Sequence, residues 1–150
     1  QMNSITRNIL HDWWFLERAR TIADVQRLAE QKLGLKLTAE KTEKILNDKI
    51  PLEQWYQTKI IAAIKEEYPS AFVRKISAGV YAERGFPDVL AIIKGQYYGI
   101  EVKRPFFGKP SQLQLVTIEA IKKAGGTAGI AHLPIEAMEI ISFGNVVNDS

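Results

Sequence analysis

The sequence predicts an α/β fold in which a central mixed β-sheet is flanked by helices and preceded by a small α-helical segment. Three observations lead to this prediction: helical periodicity before residue 50, two β-prone runs on either side of Gly95, and alternating helical and β-prone segments elsewhere after residue 50. With 150 residues, 46% of them hydrophobic, the chain is long enough to bury a core. We therefore expect one domain with an appendage.

Residues 1–50 are expected to form the helical N-terminal segment. The apolar spacing predicts helices over 13–19 and 22–33. Gly34 is expected to end the second helix, and Thr38 to begin a third helix that ends near Asp48. Five apolar residues are expected to bury against each other as an αα-hairpin: Val25, Leu28, Ala29, Ile45 and Leu46. Acidic residues are spread over these helices, which argues against a helix-turn-helix that reads DNA.

Residues 51–150 are expected to form the second domain. The predicted order is helix, strand, hairpin, helix, strand and helix: 53–67, Phe72 to Ser77, the hairpin around Gly95, Leu113 to Ala124, Thr127 to Ala131, and Ile135 to Ile141. The helix from Leu113 should present a mostly apolar face, consisting of Leu113, Val116, Ile118, Ala120 and Ile121. Ser111 is the expected N-cap of that helix.

Two acidic residues stand at the open end of the predicted hairpin. Asp88 precedes the first β-prone run, and Glu101 ends the second. With a two-residue turn at Gly95-Gln96, Asp88 would lie opposite Lys103 and Glu101 opposite Leu90. This register places Asp88, Glu101 and Lys103 on one face of the sheet, and a slip of one residue would separate them.

Two carboxylates and an amine on one face suit a divalent-cation site. Hard cations such as Mg²⁺ take oxygen ligands and keep waters for a substrate. The lysine amine would help to deprotonate one of these waters, and the cation would stabilise charge that develops on a phosphate. The alternative is a surface hairpin with solvated acids and a cross-strand ion pair.

Three short motifs together resemble a known family. Gly85-Phe86-Pro87-Asp88, Glu101-Val102-Lys103 and the run from Gly108 to Gln114 are similar to the G-x-P-D, E-x-K and S-x-x-Q elements of the VRR-NUC branch of the PD-(D/E)XK nucleases. The resemblance implies a restriction-endonuclease-like core and a deoxyribonuclease that depends on Mg²⁺ or Mn²⁺.

The resemblance also implies a role for each motif residue. Asp88 and Glu101 would bind the metal together with the backbone carbonyl of Val102, and Lys103 would position the attacking water. Gln114 would lie close to the metal and hold the substrate phosphate or the lysine, with Gln112 as the fallback.

The family carries a further acid on the helix before the sheet, commonly followed four residues later by glutamine. Glu53 and Gln57 match this pattern on one helix face, so Glu53 is the predicted extra metal ligand. Glu53 could equally be a helix-start acid that the helix dipole favours. Glu66 and Glu67, later on the same helix, are weaker candidates for the extra acid.

The charge balance is compatible with a phosphate-rich partner. The formal net charge is +3, and basic residues flank the proposed metal site. We expect Arg84, Arg104, Lys109 and Ser111 to contact nucleic acid, although a solvated basic rim is an equal alternative.

The remaining expectations concern location and partners. The chain has no cysteine, no membrane-length apolar run and no recognisable signal peptide, so we expect a cytoplasmic protein of a bacterial or phage-infected cell. The resemblance implies DNA, branched or four-way, as substrate in replication, recombination or repair. A homodimer and a helicase or primase partner stay open. The alternative function is a non-catalytic nucleic-acid-binding module of a replication or packaging complex.

Overall fold

The computed structural model describes residues 13–76 and 84–149. The described part of the chain consists of helices and strands in this order: α1 (Trp13–Arg18), α2 (Ile22–Leu33), α3 (Ala39–Lys49), α4 (Glu53–Glu67), β1 (Phe72–Lys75), β2 (Val89–Ile93), β3 (Gln96–Val102), α5 (Gln112–Lys123), β4 (Thr127–Ala131) and α6 (Pro134–Asp149). This order confirms the predicted α/β class. Ser77, the predicted end of the first strand, lies outside the described residues.

The chain divides into two compact units. The helical unit is the described part of Gln1–Pro51 together with the segment Pro105–Phe107, and the sheet unit is Leu52–Arg104 with the described part of Gly108–Ser150.

The helical unit has α2 and α3 packed against each other. Thr21 and Asp24 form a capping box at the start of α2, and Gly34 ends that helix in the left-handed conformation with φ 66°. Of the five residues expected in the αα-hairpin core, three are buried: Val25, Ala29 and Leu46. Leu28 and Ile45 are half-buried at the edges of this core.

The sheet unit is built on a four-stranded mixed sheet of order β1-β2-β3-β4. The β1–β2 and β2–β3 pairs are antiparallel, and the β3–β4 pair is parallel. Helices α4 and α6 pack on one face of the sheet, over the buried side chains of Val73, Tyr98 and Ile100. Helix α5 lies on the other face, against β3 and β4.

The hairpin register differs from the predicted one by two residues. Lys94 and Gly95 form the turn, both with positive φ (51° and 79°), and Val89 pairs with Ile100. Continuing this register by one residue places Asp88 opposite Glu101 rather than Lys103, and Leu90 pairs with Gly99 rather than Glu101. Because side chains alternate with a period of two, the shift leaves Asp88, Glu101 and Lys103 on one face.

Helices α5 and α6 both depart from their predictions. Leu113, Val116 and Ala120 of α5 are exposed and only Ile118 is buried, because α5 packs against the sheet along one narrow edge. Helix α6 continues past the predicted end at Ile141, through Gly144. A Cβ at Gly144 would stand 2.6 Å from atoms of Thr127 and Tyr98, so glycine lets α6 continue close to the sheet.

Within the described residues, every helix is too short or too polar to cross a membrane.

Candidate metal-binding and catalytic site

The candidate site lies where β2 begins and β3 ends. Asp88 immediately precedes β2, Glu101 and Val102 are the last residues of β3, and Lys103 follows them. The Asp88 carboxylate accepts a hydrogen bond from the Val102 backbone N–H through Oδ2 at 2.9 Å. This bond fixes the side chain of Asp88 against the end of the neighbouring strand.

Glu101 is the buried centre of the site, with 1% of its surface exposed. Its Oε1 accepts a hydrogen bond from Gln114 Nε2 at 2.7 Å, and Lys103 Nζ lies 3.6 Å from the same oxygen. The other oxygen, Oε2, is buried and has no hydrogen-bond partner among the described residues. A buried carboxylate oxygen without a partner is costly, and a cation ligand is one of the few roles that compensates for this cost.

Burial and neighbouring acids raise the pKa of Glu101 to about 8. Burial is the main cause, because it disfavours the charged form. Asp88 adds to the increase through its negative charge and through a side-chain hydrogen bond with Glu101, and the charge of Glu53 makes a smaller contribution. The Lys103 ammonium acts in the opposite direction without compensating fully. With Glu101 ionised, the site would carry more negative charge than Lys103 balances.

Glu53 belongs to the same electrostatic cluster. It is the first residue of α4, and burial raises its pKa, with a further contribution from Asp88 and an opposing one from Lys103. Glu66 and Glu67 are exposed at the other end of the helix, about 20 Å from Glu53 at 1.5 Å per residue. The structure thus brings Glu53, and neither later glutamate, toward the two acids of the hairpin.

Gln57, one turn after Glu53, is also buried. Its Oε1 has no hydrogen-bond partner within the described part of the chain. The sequence pattern of glutamate and glutamine four residues apart singles out this residue, but nothing in the sequence indicates that its amide oxygen would be left unpaired.

Gln114 connects α5 to the site through both ends of its amide. Ser111 Oγ accepts from the Gln114 backbone N–H at 3.2 Å, and Gln114 Oε1 accepts from the Ser111 N–H at 2.7 Å, which forms a capping box. The Nε2 group is then directed to Glu101. Gln114 therefore contacts a carboxylate of the site, whereas the resemblance implies a contact with phosphate or Lys103. Gln112, the fallback, is exposed.

The predicted nucleic-acid contacts have different surroundings. Arg84, Lys109 and Ser111 are exposed, whereas Arg104 is half-buried. Burial raises the pKa of the Tyr56 hydroxyl to about 12, and the positive charge of Arg104 opposes this increase. Tyr56 is fully buried in α4, and its proximity to Arg104 has no signal in the sequence.

The donor set fits a hard cation with few protein ligands. Among the described residues, no group of three or more His, Cys, Asp and Glu side chains is arranged to hold a metal ion. Mg²⁺, however, is typically bound through one or two carboxylates, with water and substrate oxygens as the other ligands. The carboxylate of Asp88 and the unpartnered Oε2 of Glu101 match this requirement. The implied role of the Val102 carbonyl stays a prediction.

Comparison with known proteins identifies a structural similarity. The sequence matches no family model, and no curated protein matches it. Among solved structures, the chain is similar to one described as a VRR_NUC domain, with 26% sequence identity and a TM-score of 0.47. The match covers 58% of this chain and 95% of that chain.

The raised pKa of Glu101 predicts a pH-dependent stability in metal-free buffer. Folding raises this pKa from 4.5 to about 8, so the folded protein holds the proton more tightly than the unfolded chain. The resulting stabilisation is complete below about pH 4.5 and is lost as the pH rises through about 8. Glu101→Gln, which mimics the protonated form, should therefore melt at a higher temperature than the wild type at pH 8 and show a flatter pH profile.

Thermal unfolding monitored by circular dichroism between pH 5 and pH 9 measures this difference. Glu66→Gln, at an exposed position on α4, is the matched control and should follow the wild-type profile. A Glu101→Gln profile parallel to that of the wild type would show that Glu101 is already ionised without metal.

Proposed function

We propose that this protein is a divalent-metal-dependent DNA endonuclease that hydrolyses phosphodiester bonds. One observation carries the proposal: the buried Glu101 carboxylate has an unpartnered oxygen beside Asp88, while Lys103 Nζ lies 3.6 Å from its other oxygen. The motif resemblance adds that acids and a lysine in this order occur in metal-dependent nucleases. The chemistry of the residues and the motifs thus support the same activity.

Each residue of the site would have a separate role in the proposed reaction. Asp88 and Glu101 would hold Mg²⁺ or Mn²⁺, with Glu53 supporting this ion or a second one. When bound, the cation would lower the pKa of a water and offset charge on the phosphate. Lys103 would activate the attacking water, because its amine can hydrogen-bond the water and help to deprotonate it. The water oxygen would form a new bond to phosphorus as the bond from phosphorus to the leaving oxygen breaks. The proton lost by the water would pass to solvent, and the leaving oxygen would take up a proton from solvent.

Gln114 has a positioning role in this proposal. Its Nε2 donates to Glu101 Oε1, so the buried carboxylate is held in one orientation, in which Oε1 and not Oε2 contacts Gln114. Because the same amide also closes the capping box of α5, the start of that helix and the metal ligand are fixed together. Arg84, Arg104, Lys109 and Ser111 are the proposed DNA contacts.

The biological setting follows from the family resemblance. We propose branched DNA, including four-way junctions, as the substrate, within replication, recombination or repair in a bacterial or phage-infected cell. One active site per chain means that symmetric cutting of both strands would require a homodimer. A helicase or primase partner is compatible with the same site.

Lys103→Ala should abolish cleavage because the attacking water loses the group that orients it. We expect a rate loss of at least about a hundredfold, the lower end of what one acid–base group contributes. Affinity for DNA should change little. The measurement is cleavage of end-labelled single-stranded, duplex, flap and four-way junction DNA in Mg²⁺, Mn²⁺ or EDTA.

Lys65→Ala is the matched control, since it removes an exposed lysine from the last turn of α4, at the opposite end of that helix from Glu53. Circular dichroism establishes that both variants are folded. Undiminished cleavage by folded Lys103→Ala would refute the role of Lys103. DNA binding without cleavage by the wild type in every metal would favour the non-catalytic binding module.

Asp88→Asn should weaken divalent-cation binding by at least about tenfold, because it replaces a charged oxygen ligand with a neutral amide. The amide oxygen can still accept the Val102 N–H, so the hairpin should remain intact. Titration calorimetry with Mg²⁺ and Mn²⁺ compares this variant with the wild type and with Glu66→Gln. Equal affinities for all three proteins would place any bound cation elsewhere.

A further inference from the structure

The sheet has an exposed apolar area on the half formed by β1 and β2. Its members are Phe72 and Arg74 of β1 with Leu90 and Ile92 of β2, which we call the open sheet face. Phe72 is 48% exposed and Ile92 is 41% exposed. Phe72 pairs with Ile92 and Arg74 with Leu90, so the four side chains lie side by side on one face.

The open sheet face is on the same side of the sheet as the candidate site. Ile92 pairs with Tyr97 and Leu90 with Gly99, and Glu101 follows Gly99 by two residues. Because side chains two residues apart share a face, Glu101 points to the side of Leu90 and Ile92. Asp88 and Ile92 are four residues apart, or about 13 Å along the strand. Phe72 and Ile92 therefore lie on the same face of the sheet as the two acids, with Leu90 half-buried between Asp88 and Ile92 and with Pro87 and Tyr97 close to Gly99.

The helices cover the two faces of the sheet unequally. The face opposite the site is filled by α4 and α6, whereas α5 covers the site's face over β3 and β4, where Gln114 contacts Glu101. A substrate that reaches Asp88 and Glu101 consequently has β1 and β2 as its adjoining surface.

Phe72 and Arg74 are arranged as a stacked pair. The guanidinium carbon of Arg74 lies 4.2 Å from the centre of the Phe72 ring. Arg74 also donates a hydrogen bond to the Val73 carbonyl at 2.7 Å, which restrains the side chain in this position. The pair combines two flat surfaces with a positive charge, and both an aromatic ring and a guanidinium plane can stack on a nucleic-acid base.

We propose that the open sheet face binds unpaired bases of the DNA strand that enters the site. This inference rests on the proposed nuclease function and deepens it by naming the preferred substrates among branched DNAs: those that carry a single-stranded segment next to the scissile phosphate, such as flaps, rather than fully paired four-way junctions. Bases would stack on Phe72 and Arg74 and contact Ile92, while Arg74 also attracts the backbone. A paired duplex keeps its bases stacked on each other and offers no free base face to this surface.

Phe72→Ala should weaken binding of single-stranded DNA about tenfold, since one stacked base contributes about 1–3 kcal/mol and 1.4 kcal/mol corresponds to a factor of ten. The probe is fluorescein-labelled oligothymidine of about 12 nucleotides, within the range of one binding site. Fluorescence anisotropy in EDTA measures its affinity without cleavage. Affinity for a blunt hairpin duplex should change less than about twofold, and Phe72→Trp should restore single-strand binding.

Phe143→Ala is the matched control. Phe143 is 69% exposed on α6, which packs on the opposite face of the sheet, so its removal should leave both affinities unchanged. Arg74→Lys keeps the positive charge but loses the flat guanidinium. We expect this variant to lose single-strand affinity with an unchanged dependence on salt, whereas a purely electrostatic contact would be retained.

Three results would overturn the inference. The first is a single-strand affinity of folded Phe72→Ala within twofold of the wild type. The second is an equal loss for single strand and duplex. The third is that light scattering shows an oligomeric wild type and a monomeric Phe72→Ala variant, while the two proteins bind DNA equally. This result would identify a second copy of the chain as the occupant of the open sheet face. Because all readouts are made in EDTA, they are independent of whether Asp88, Glu101 and Lys103 perform catalysis.

Discussion

The burial of one carboxylate determines most features of the candidate site. Glu101 is 1% exposed at the end of an interior strand, where an isolated anion is strongly disfavoured. Gln114 and Lys103 stabilise one of its oxygens, and the other has no hydrogen-bond partner within the described residues. Asp88 and Glu53 add negative charge and so raise the pKa of Glu101 further. A cation between Asp88 and Glu101 would relieve both the unpaired oxygen and the excess negative charge.

The surrounding fold holds this arrangement in place by short-range links. Asp88 is tied to the backbone of Val102, so the two strands that carry the acids are joined by a side chain as well as by their ladder. Gln114 joins the start of α5 to Glu101. Sites supported by strands and by the capped end of a helix keep their geometry better than sites on loops alone. The half of the same face formed by β1 and β2 stays exposed beside them.

The fold was predictable from the sequence because its signals are local. Turn residues, alternating β-prone runs and cap residues identified most elements, including Ser111 as the N-cap of α5. The hairpin turn was placed one residue too late, since Lys94 adopts a positive φ that favours glycine. This error shifts the predicted register by two residues, and a shift of two leaves every side chain on its own face of the sheet. The prediction that Asp88 and Glu101 share one face was therefore still correct.

The parts that could not be predicted depend on tertiary packing. The apolar residues Leu113 and Val116 follow a helical pattern that normally indicates a buried face, yet they are exposed. Periodicity identifies which residues share a face but not how wide the contact is. The partners of Gln114 and the proximity of Arg104 to Tyr56 join residues that are distant in sequence. The motif resemblance supplied roles for single residues but not the contacts between them.

The position of a bound cation would show whether Asp88 and Glu101 are its ligands. Crystals grown with Mn²⁺ would locate the ion by its anomalous scattering, independently of any assay of cleavage. We expect an anomalous peak about 2.1 Å from one oxygen of Asp88 and from Oε2 of Glu101, the usual distance for a small hard cation. A fully occupied Mn²⁺ elsewhere, with both carboxylates left without metal, would contradict this expectation.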